Sequence, residues 1–302
     1  MRVASFCSLP CGVVAWSAAE PHADAGGGAP KPASPMLTVI VKATFSLAVD
    51  GEAPLAPEQE PLRGDQADPF GDPAGLWYAS DFAPRKARAD VSVVGHAYAA
   101  APTTSIAARF SFDVLDRRFA ALAARPAARI PLSPSHLRAS EAPGASAVVV
   151  GPRAPWSDAR AALADAADFQ FYNAAPHEQQ LGVLRPNGLL SLDGLLPGAP
   201  HRQAWLPGHR PRVFLFGESG PSERAHEVPL VCDTLWIDTD RALCTLTWRG
   251  VVAIARAVEP PVGLVLSLEA RGAAQSWAAL REALPSARWF EAMQPADLIA
   301  PD

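Results

Sequence analysis

The chain has 302 residues, 49% of them apolar, enough to bury a substantial core as one large domain or two smaller ones. Its formal net charge of −5 argues against a nucleic-acid partner, because phosphate binding is carried by a basic face. No window holds about 18 consecutive apolar residues, so no membrane-spanning helix is expected. The 31 prolines and 21 glycines imply frequent turns and few long helices.

The first twenty residues, MRVASFCSLPCGVVAWSAAE, place Arg2 before a mostly apolar run and so imitate a secretory signal. Pro10 breaks that run and Cys7, Ser8 and Cys11 interrupt it, which favours a first strand. His22 to Pro35 reads as a flexible connector. In LTVIVKATFSL, Leu37, Val39, Val41, Ala43, Phe45 and Leu47 fall on one face of a strand. Thr38, Lys42, Thr44 and Ser46 fall on the other, with Ile40. Asp50-Gly51 supplies a turn, and Glu52 to Gly75, acidic and proline-rich, reads as an irregular surface loop.

Ser80 to Tyr98, SDFAPRKARADVSVVGHAY, sets Arg85, Lys86 and Arg88 between Asp81 and Asp90, ahead of a buried strand over Val91 to Tyr98. Lysine occurs otherwise only at Lys31 and Lys42, so the cluster stands out. Ala107 to Val114 reads as a further strand, whereas Leu115 to Ala145, rich in Ala and Arg, takes no assignment. Ala147 to Val150 suits a short strand and Asp158 to Ala167 a helix capped by Ser157. Arg212 to Phe216 is a short buried strand. Pro229 to Trp248 reads as a hairpin turning at Asp238-Thr239-Asp240-Arg241 and closed by Gly250. Only the tail shows helical spacing, at Trp277, Leu280 and Leu284, with Pro285 as its stop. The expected fold is mainly β with a few short helices, arranged as a sandwich or as open-barrel-like sheets.

No motif for catalysis emerges. No lysine follows a glycine as a P-loop requires, and Gly26-Gly27-Gly28 follows no strand. His177-Glu178 and His226-Glu227 lack the second histidine of a zinc-protease helix. Gly217-Glu218-Ser219-Gly220 is one residue short of a nucleophile elbow and reads as a turn. Asp233, Asp238 and Asp240 have the chemistry to share a cation, but Asp238 and Asp240 suit a hairpin turn better. His96 reads as a hydrogen-bonded structural residue. Cys7, Cys11, Cys232 and Cys244 read as reduced, mostly buried thiols, with Cys232 and Cys244 placed to face each other across the hairpin. Trp236 and Trp248 suit core positions on its two strands. No cofactor and no metal site is expected.

Five blocks, in order, resemble the bacterial family called domain of unknown function 2169. They are LTVIVKATFSL at 37–47, WYASDFAPRKARADVSVVGHAY at 77–98, DFQFYNAAPHEQQ at 168–180 with LRPNGLLSLDGLLP at 184–197, LPGHRPRVFLF at 206–216, and VPLVCDTLWIDTDRALCTLTWRGVV at 228–252. The chain departs from that pattern at 115–150, which lacks the family's aromatic- and glycine-rich block. The resemblance implies a cytoplasmic, non-enzymatic adaptor or chaperone that loads effectors onto the type VI secretion spike, with protein partners and neither nucleic acid nor membrane as ligand. It divides the chain into a terminal strand and linker (1–36), a β-rich domain (37–256) and a tail with a short helix (257–302).

The candidate contact residues are Asp81, Phe82, Arg85, Lys86, Arg88, Asp90, Tyr172, Asn173, His177 and Gln180, on two charged or polar loops. Two other classes stay open. One is a hydrolase or carbohydrate-active enzyme that uses acids among Asp233 to Asp240 with His96 or His177. The other is a structural component of the secretion apparatus.

Overall fold

A computed structural model describes residues 1–18, 34–139, 150–153, 172–221, 225–254, 262–269 and 276–298. The chain is mostly β, 57% strand and 8% helical, and no sheet closes into a barrel. In chain order the strands are β1 (Arg2–Ser5), β2 (Cys11–Ala18), β3 (Ser34–Ser46), β4 (Gly51–Glu52), β5 (Gln66–Ala67), β6 (Leu76–Tyr78) and β7 (Ala89–Val94). There follow β8 (His96–Phe112), β9 (Leu115–Pro131), β10 (Leu137–Ala139), β11 (Gln180–Leu181), β12 (Leu189–Leu196), β13 (Ala199–Trp205), β14 (Arg210–Phe216) and β15 (Ala225–Val228). The chain ends through β16 (Val231–Asp238), β17 (Leu243–Ala253), β18 (Gly263–Glu269), helix α1 (Trp277–Ala283) and β19 (Arg288–Glu291).

Three larger sheets result. The first has the order β11-β7-β16-β17-β3-β2, the second β10-β9-β8-β12-β13-β4 and the third β15-β14-β18-β1-β19. The apolar face expected for the first long strand is the core face of the first sheet. Val39, Val41, Ala43, Phe45 and Leu47 lie fully buried there with Leu246, Leu235 and Val91. They share one core with Phe110, Phe112, Leu190 and Leu192 of the second sheet and Val213, Leu264 and Leu266 of the third. Val3 and Val13 belong to the same core. The N-terminal stretch is thus a strand, β1, paired with β18 on one side and β19 on the other.

Several expectations need adjustment. The strand over Val91 to Tyr98 is broken at Gly95, whose φ is +110°. A Cβ there would lie 2.2 Å from Thr239 Oγ1, so only glycine lets the chain pass. The strand expected over Ala107 to Val114 is the end of β8, and its hairpin turn sits at Asp113-Val114. The unassigned Ala- and Arg-rich stretch is largely strand, as β9 and β10. Alanine and arginine give no strand signal of their own; pairing along β8 makes this segment extended. Gly250 does not close the last hairpin, since β17 runs on to Ala253 and Gly250 sits against Val39 and Val228. Cys232 lies across from Trp248 and Cys244 across from Ile237, so the register keeps the two thiols apart. Trp236 and Trp248 are both buried, and the tail helix forms with Ser276 accepting from Ala279 N as its cap. Of the connector expected over His22 to Pro35, Ser34 and Pro35 are the start of β3, and the rest, with the strand residues 147–149, the helix at 158–167 with its Ser157 cap and the block at 168–171, lies outside the described residues.

The second face of the first sheet is polar, yet it is also buried. Part of the 56–84 segment lies over it, with Ala56, Leu62, Tyr78, Asp81, Phe82 and Ala83 buried. The loop expected over Glu52 to Gly75 is thus irregular and partly exposed, at Pro57, Glu58, Pro61, Pro69 and Pro73 among others, but not wholly a surface loop. Across four strands the register aligns Lys42, Thr247, Thr234 and Asp90 in one row. Lys42 Nζ donates to Asp81 Oδ2 at 2.9 Å and to the Tyr78 hydroxyl at 3.0 Å, and that hydroxyl donates to Asp81 Oδ1 at 2.7 Å. Arg249 ion-pairs with Asp233 and donates to the carbonyls of Ala83 at 2.9 Å and Asp81 at 2.7 Å. Thr38 Oγ1 donates to the Pro84 carbonyl at 2.6 Å. Gln59 completes the cover by bonding both backbone groups of Thr44, which have no strand partner on that side once β2 ends.

Burial pushes the Lys42 amine below its ordinary value, and the Asp81 carboxylate pulls it back only in part. Lys42→Met leaves a buried carboxylate without its cation, and we expect it to lower stability by about 3–5 kcal/mol. Lys42→Met/Asp81→Asn removes both charges and recovers much of that loss. Urea unfolding midpoints of the two variants check this, and equal losses contradict the pairing.

Candidate interaction site

The loop that follows this cover carries the basic cluster, and the structure splits it. The Lys86 side chain turns inward and is only 2% exposed. Its Nζ donates to Asp90 Oδ2 at 2.7 Å and to Thr234 Oγ1 at 2.8 Å. Arg85 and Arg88 remain exposed. Asp90 sits on β7 and is nearly fully buried, as is Asp81, whose cation is Lys42 and not a member of the cluster. Phe82 packs with Val14, Ile40 and Leu62.

The second candidate loop, far away in sequence, docks on the first. Asn173 Oδ1 accepts from the amides of Ala87 at 3.1 Å and Arg88 at 3.2 Å. Its Nδ2 donates to the Arg88 carbonyl at 2.7 Å and to Asp90 Oδ1 at 2.8 Å. A planar amide with donors and an acceptor is suited to clamping backbone in this way. Ala174 N adds a bond to Asp90 Oδ2 at 2.9 Å. Arg88 Nη2 reaches the Gln180 carbonyl at 3.0 Å, and β11 pairs antiparallel with β7.

Of the ten candidates, Lys86, Arg88, Asp90, Asn173 and Gln180 are bonded into the junction, whereas Asp81 and Phe82 belong to the cover over the first sheet. Asp81, Phe82, Asp90 and the side chain of Lys86 are interior. Arg85, Arg88 and His177 are exposed, and Tyr172, Asn173 and Gln180 are half-buried. Arg117, from β9, was not a candidate, yet its guanidinium donates to the Glu178 carbonyl at the rim. It escaped notice because it lies in the stretch that carried no strand pattern.

His96 forms a second polar cluster. Its Nδ1 lies 2.9 Å from Asp240 Oδ2, and the Tyr98 hydroxyl donates to Asp240 Oδ1 at 2.8 Å. Thr239 Oγ1 accepts from His96 N at 2.9 Å, so the start of β8 is fastened to the turn between β16 and β17. Asp238 shapes that turn by accepting from the amides of Asp240 and Arg241. Phe70 meets the imidazole edge-on at 5.1 Å between ring centroids. Of the acids and histidines considered for catalysis, His96 and Asp240 converge. Asp233 instead pairs with Arg249, and His177 sits on the 172–180 loop. Among the described residues no hydroxyl or thiol hydrogen-bonds the other nitrogen of His96, and no group of three or more metal-ligating side chains is found. No described helix is long and apolar enough to cross a membrane.

Fold and site together define a mainly β protein of several open sheets with a polar junction where two distant loops meet. More particularly, residues 33–129 and 122–249 match the family model described as an uncharacterized protein conserved in bacteria (DUF2169), and the chain belongs to that family. The two matched stretches overlap within β9. No curated protein and no solved structure matches the chain.

Burial alone raises the Asp240 carboxyl, but the hydrogen bonds from His96 and Tyr98 outweigh it and hold the group below its ordinary value. A carboxyl depressed in the folded state stabilises the protein fully above its unfolded pKa of about 4, and that contribution is lost as pH falls through the lower folded value. Asp240→Asn removes this acid-side loss. Urea midpoints between about pH 6 and pH 2.5 should fall less steeply for the variant than for the wild type.

Proposed function

We propose that the protein is a non-enzymatic adaptor or chaperone that binds other proteins through the exposed surface of the 85–90 and 172–180 junction. Following the family resemblance, its partner is an effector or a spike protein of type VI secretion, met in the cytoplasm. One observation supports this reading most: two loops some 85 residues apart are clamped together by Asn173, and Arg85, Arg88 and His177 on them are exposed. A partly cationic surface on a β scaffold suits charge-steered association.

Arg85→Glu/Arg88→Glu should weaken capture of an effector or spike protein encoded beside this chain by about tenfold or more, with an unfolding midpoint lowered only slightly by loss of the exposed Arg88–Gln180 bond. Lys86→Glu behaves differently, because it buries a repelled charge beside Asp90, and it should lower the unfolding midpoint itself. If neither protein is captured by the wild type, and the effector is stable in cells lacking the adaptor, this reading fails.

The His96–Asp240 pair supports a second reading, a hydrolase, since a carboxylate on Nδ1 orients an imidazole for proton transfer. Turnover of chromogenic ester or glycoside substrates that disappears in His96→Ala would establish it.

A further inference from the structure

The β8–β9 hairpin carries a feature that neither loop junction uses. Tyr98 pairs with Arg129 and Thr103 with Ala127, so the four residues 99–102 face the single residue 128. Thr103 then pairs with Ala127 and Ser105 with Leu122, so the four residues 123–126 face the single residue 104. Two opposed bulges thus form a waist, Ala-Ala-Ala-Pro on one strand and Ala-Ala-Arg-Pro on the other. Each ends in a proline, which donates no ladder hydrogen bond and is tolerated at a bulge. The alanines at 100, 101, 124 and 128 are exposed, so no large side chain shields the backbone there.

This waist lies in the basic part of the molecule. Residues 96–139 hold six arginines and two aspartates, a formal +4, which leaves −9 for the rest of the chain (20 cations against 29 acids). Arg109 and Arg118 are bound to Asp116, and Arg109 also approaches Asp193. Arg125 and Arg129 are exposed and have no carboxylate partner among the described residues. On the outer edge of β8, β12 pairs only from Arg109 to Phe112, and the strand before it has no ladder partner on that side among the described residues.

We infer that the hairpin waist is a docking surface for a short acidic polypeptide segment in extended conformation. Unpaired backbone on an open edge offers main-chain hydrogen bonds to an added strand. The two unneutralised guanidiniums supply the charge preference, and carboxylates are their planar, bidentate complement. A nucleic acid fits less well, because it brings a charge with every nucleotide into the field of a body that is otherwise strongly acidic. This surface is separate from the 85–90 and 172–180 junction and does not depend on the adaptor reading.

The test uses the full chain and a fluorescein-labelled alternating Glu-Val peptide, followed by anisotropy at low salt and at about 0.5 M salt. The wild type should bind at low salt and release at high salt. Arg125→Glu/Arg129→Glu should weaken binding by more than about tenfold. Arg210→Glu/Arg288→Glu, which changes net charge equally at distant exposed positions on β14 and β19, should leave it nearly unchanged. If the charge reversal disturbs folding, Arg125→Gln/Arg129→Gln decides the question. A wild type that fails to bind the peptide, equal weakening by both pairs, or tighter binding of a short oligothymidylate than of the peptide would each overturn the inference.

Discussion

The structure depends on a buried polar row that the first sheet cannot leave uncovered. Lys42, Thr247, Thr234 and Asp90 line up across four strands, and three ion pairs gather on and around them: Lys42 with Asp81, Lys86 with Asp90 and Arg249 with Asp233. Three cations meet three carboxylates, so the cluster carries no net charge. Each member would be costly alone in the interior, where burial already depresses the Lys42 amine and raises the Asp233 carboxyl. The pairs therefore act as a set of positional constraints. They dictate where the covering part of the 56–84 segment must lie and which way the next loop must turn.

That constraint builds the surface as well as the interior. Lys86 is drawn inward to Asp90 and Thr234, and the same loop is thereby forced to present Arg85 and Arg88 outward. Asp90 in turn binds Asn173 and Ala174, which brings the 172–180 loop alongside. The surface of this junction is thus an extension of the buried row, reached through one carboxylate. At the opposite end of β7, Gly95 and the His96–Asp240 contact fasten the start of the long hairpin to the turn of β16–β17. The hairpin waist lies beyond that fastening, where pairing is irregular and small alanines are exposed.

Much of the fold was legible where side-chain chemistry repeats with the period of the backbone. The strand at 37–47 alternates cleanly, and β3 runs over Ser34–Ser46. Asp238 and Asp240 mark a turn, and the turn is there. Trp277 and Leu280 mark the inner side of α1, where they pack near Phe214. The stretch at 115–131 was illegible because alanine and arginine serve helix, strand and loop alike; its partner β8 decides the matter. The acidic, proline-rich segment was legible as an irregular, partly exposed loop, but its composition says nothing of the polar face that its buried residues cover. The candidate site was legible as a set of residues but not as a geometry, since no local pattern distinguishes a lysine that turns in from an arginine that turns out.

The sequence by itself determined the β class of the protein, its family, the two faces of the long third strand and the two loops that meet at the junction. These follow from short-range periodicity, turn chemistry and ordered blocks, all of which are local. Only the tertiary structure decided which charges are buried and which are exposed, that Cys232 and Cys244 stand apart, that His96 finds Asp240 and that the Ala- and Arg-rich stretch is a bulged strand. Those outcomes turn on strand register and on ion pairs between residues from 4 to 144 positions apart. A polar side chain takes its role from the partner that burial brings to it.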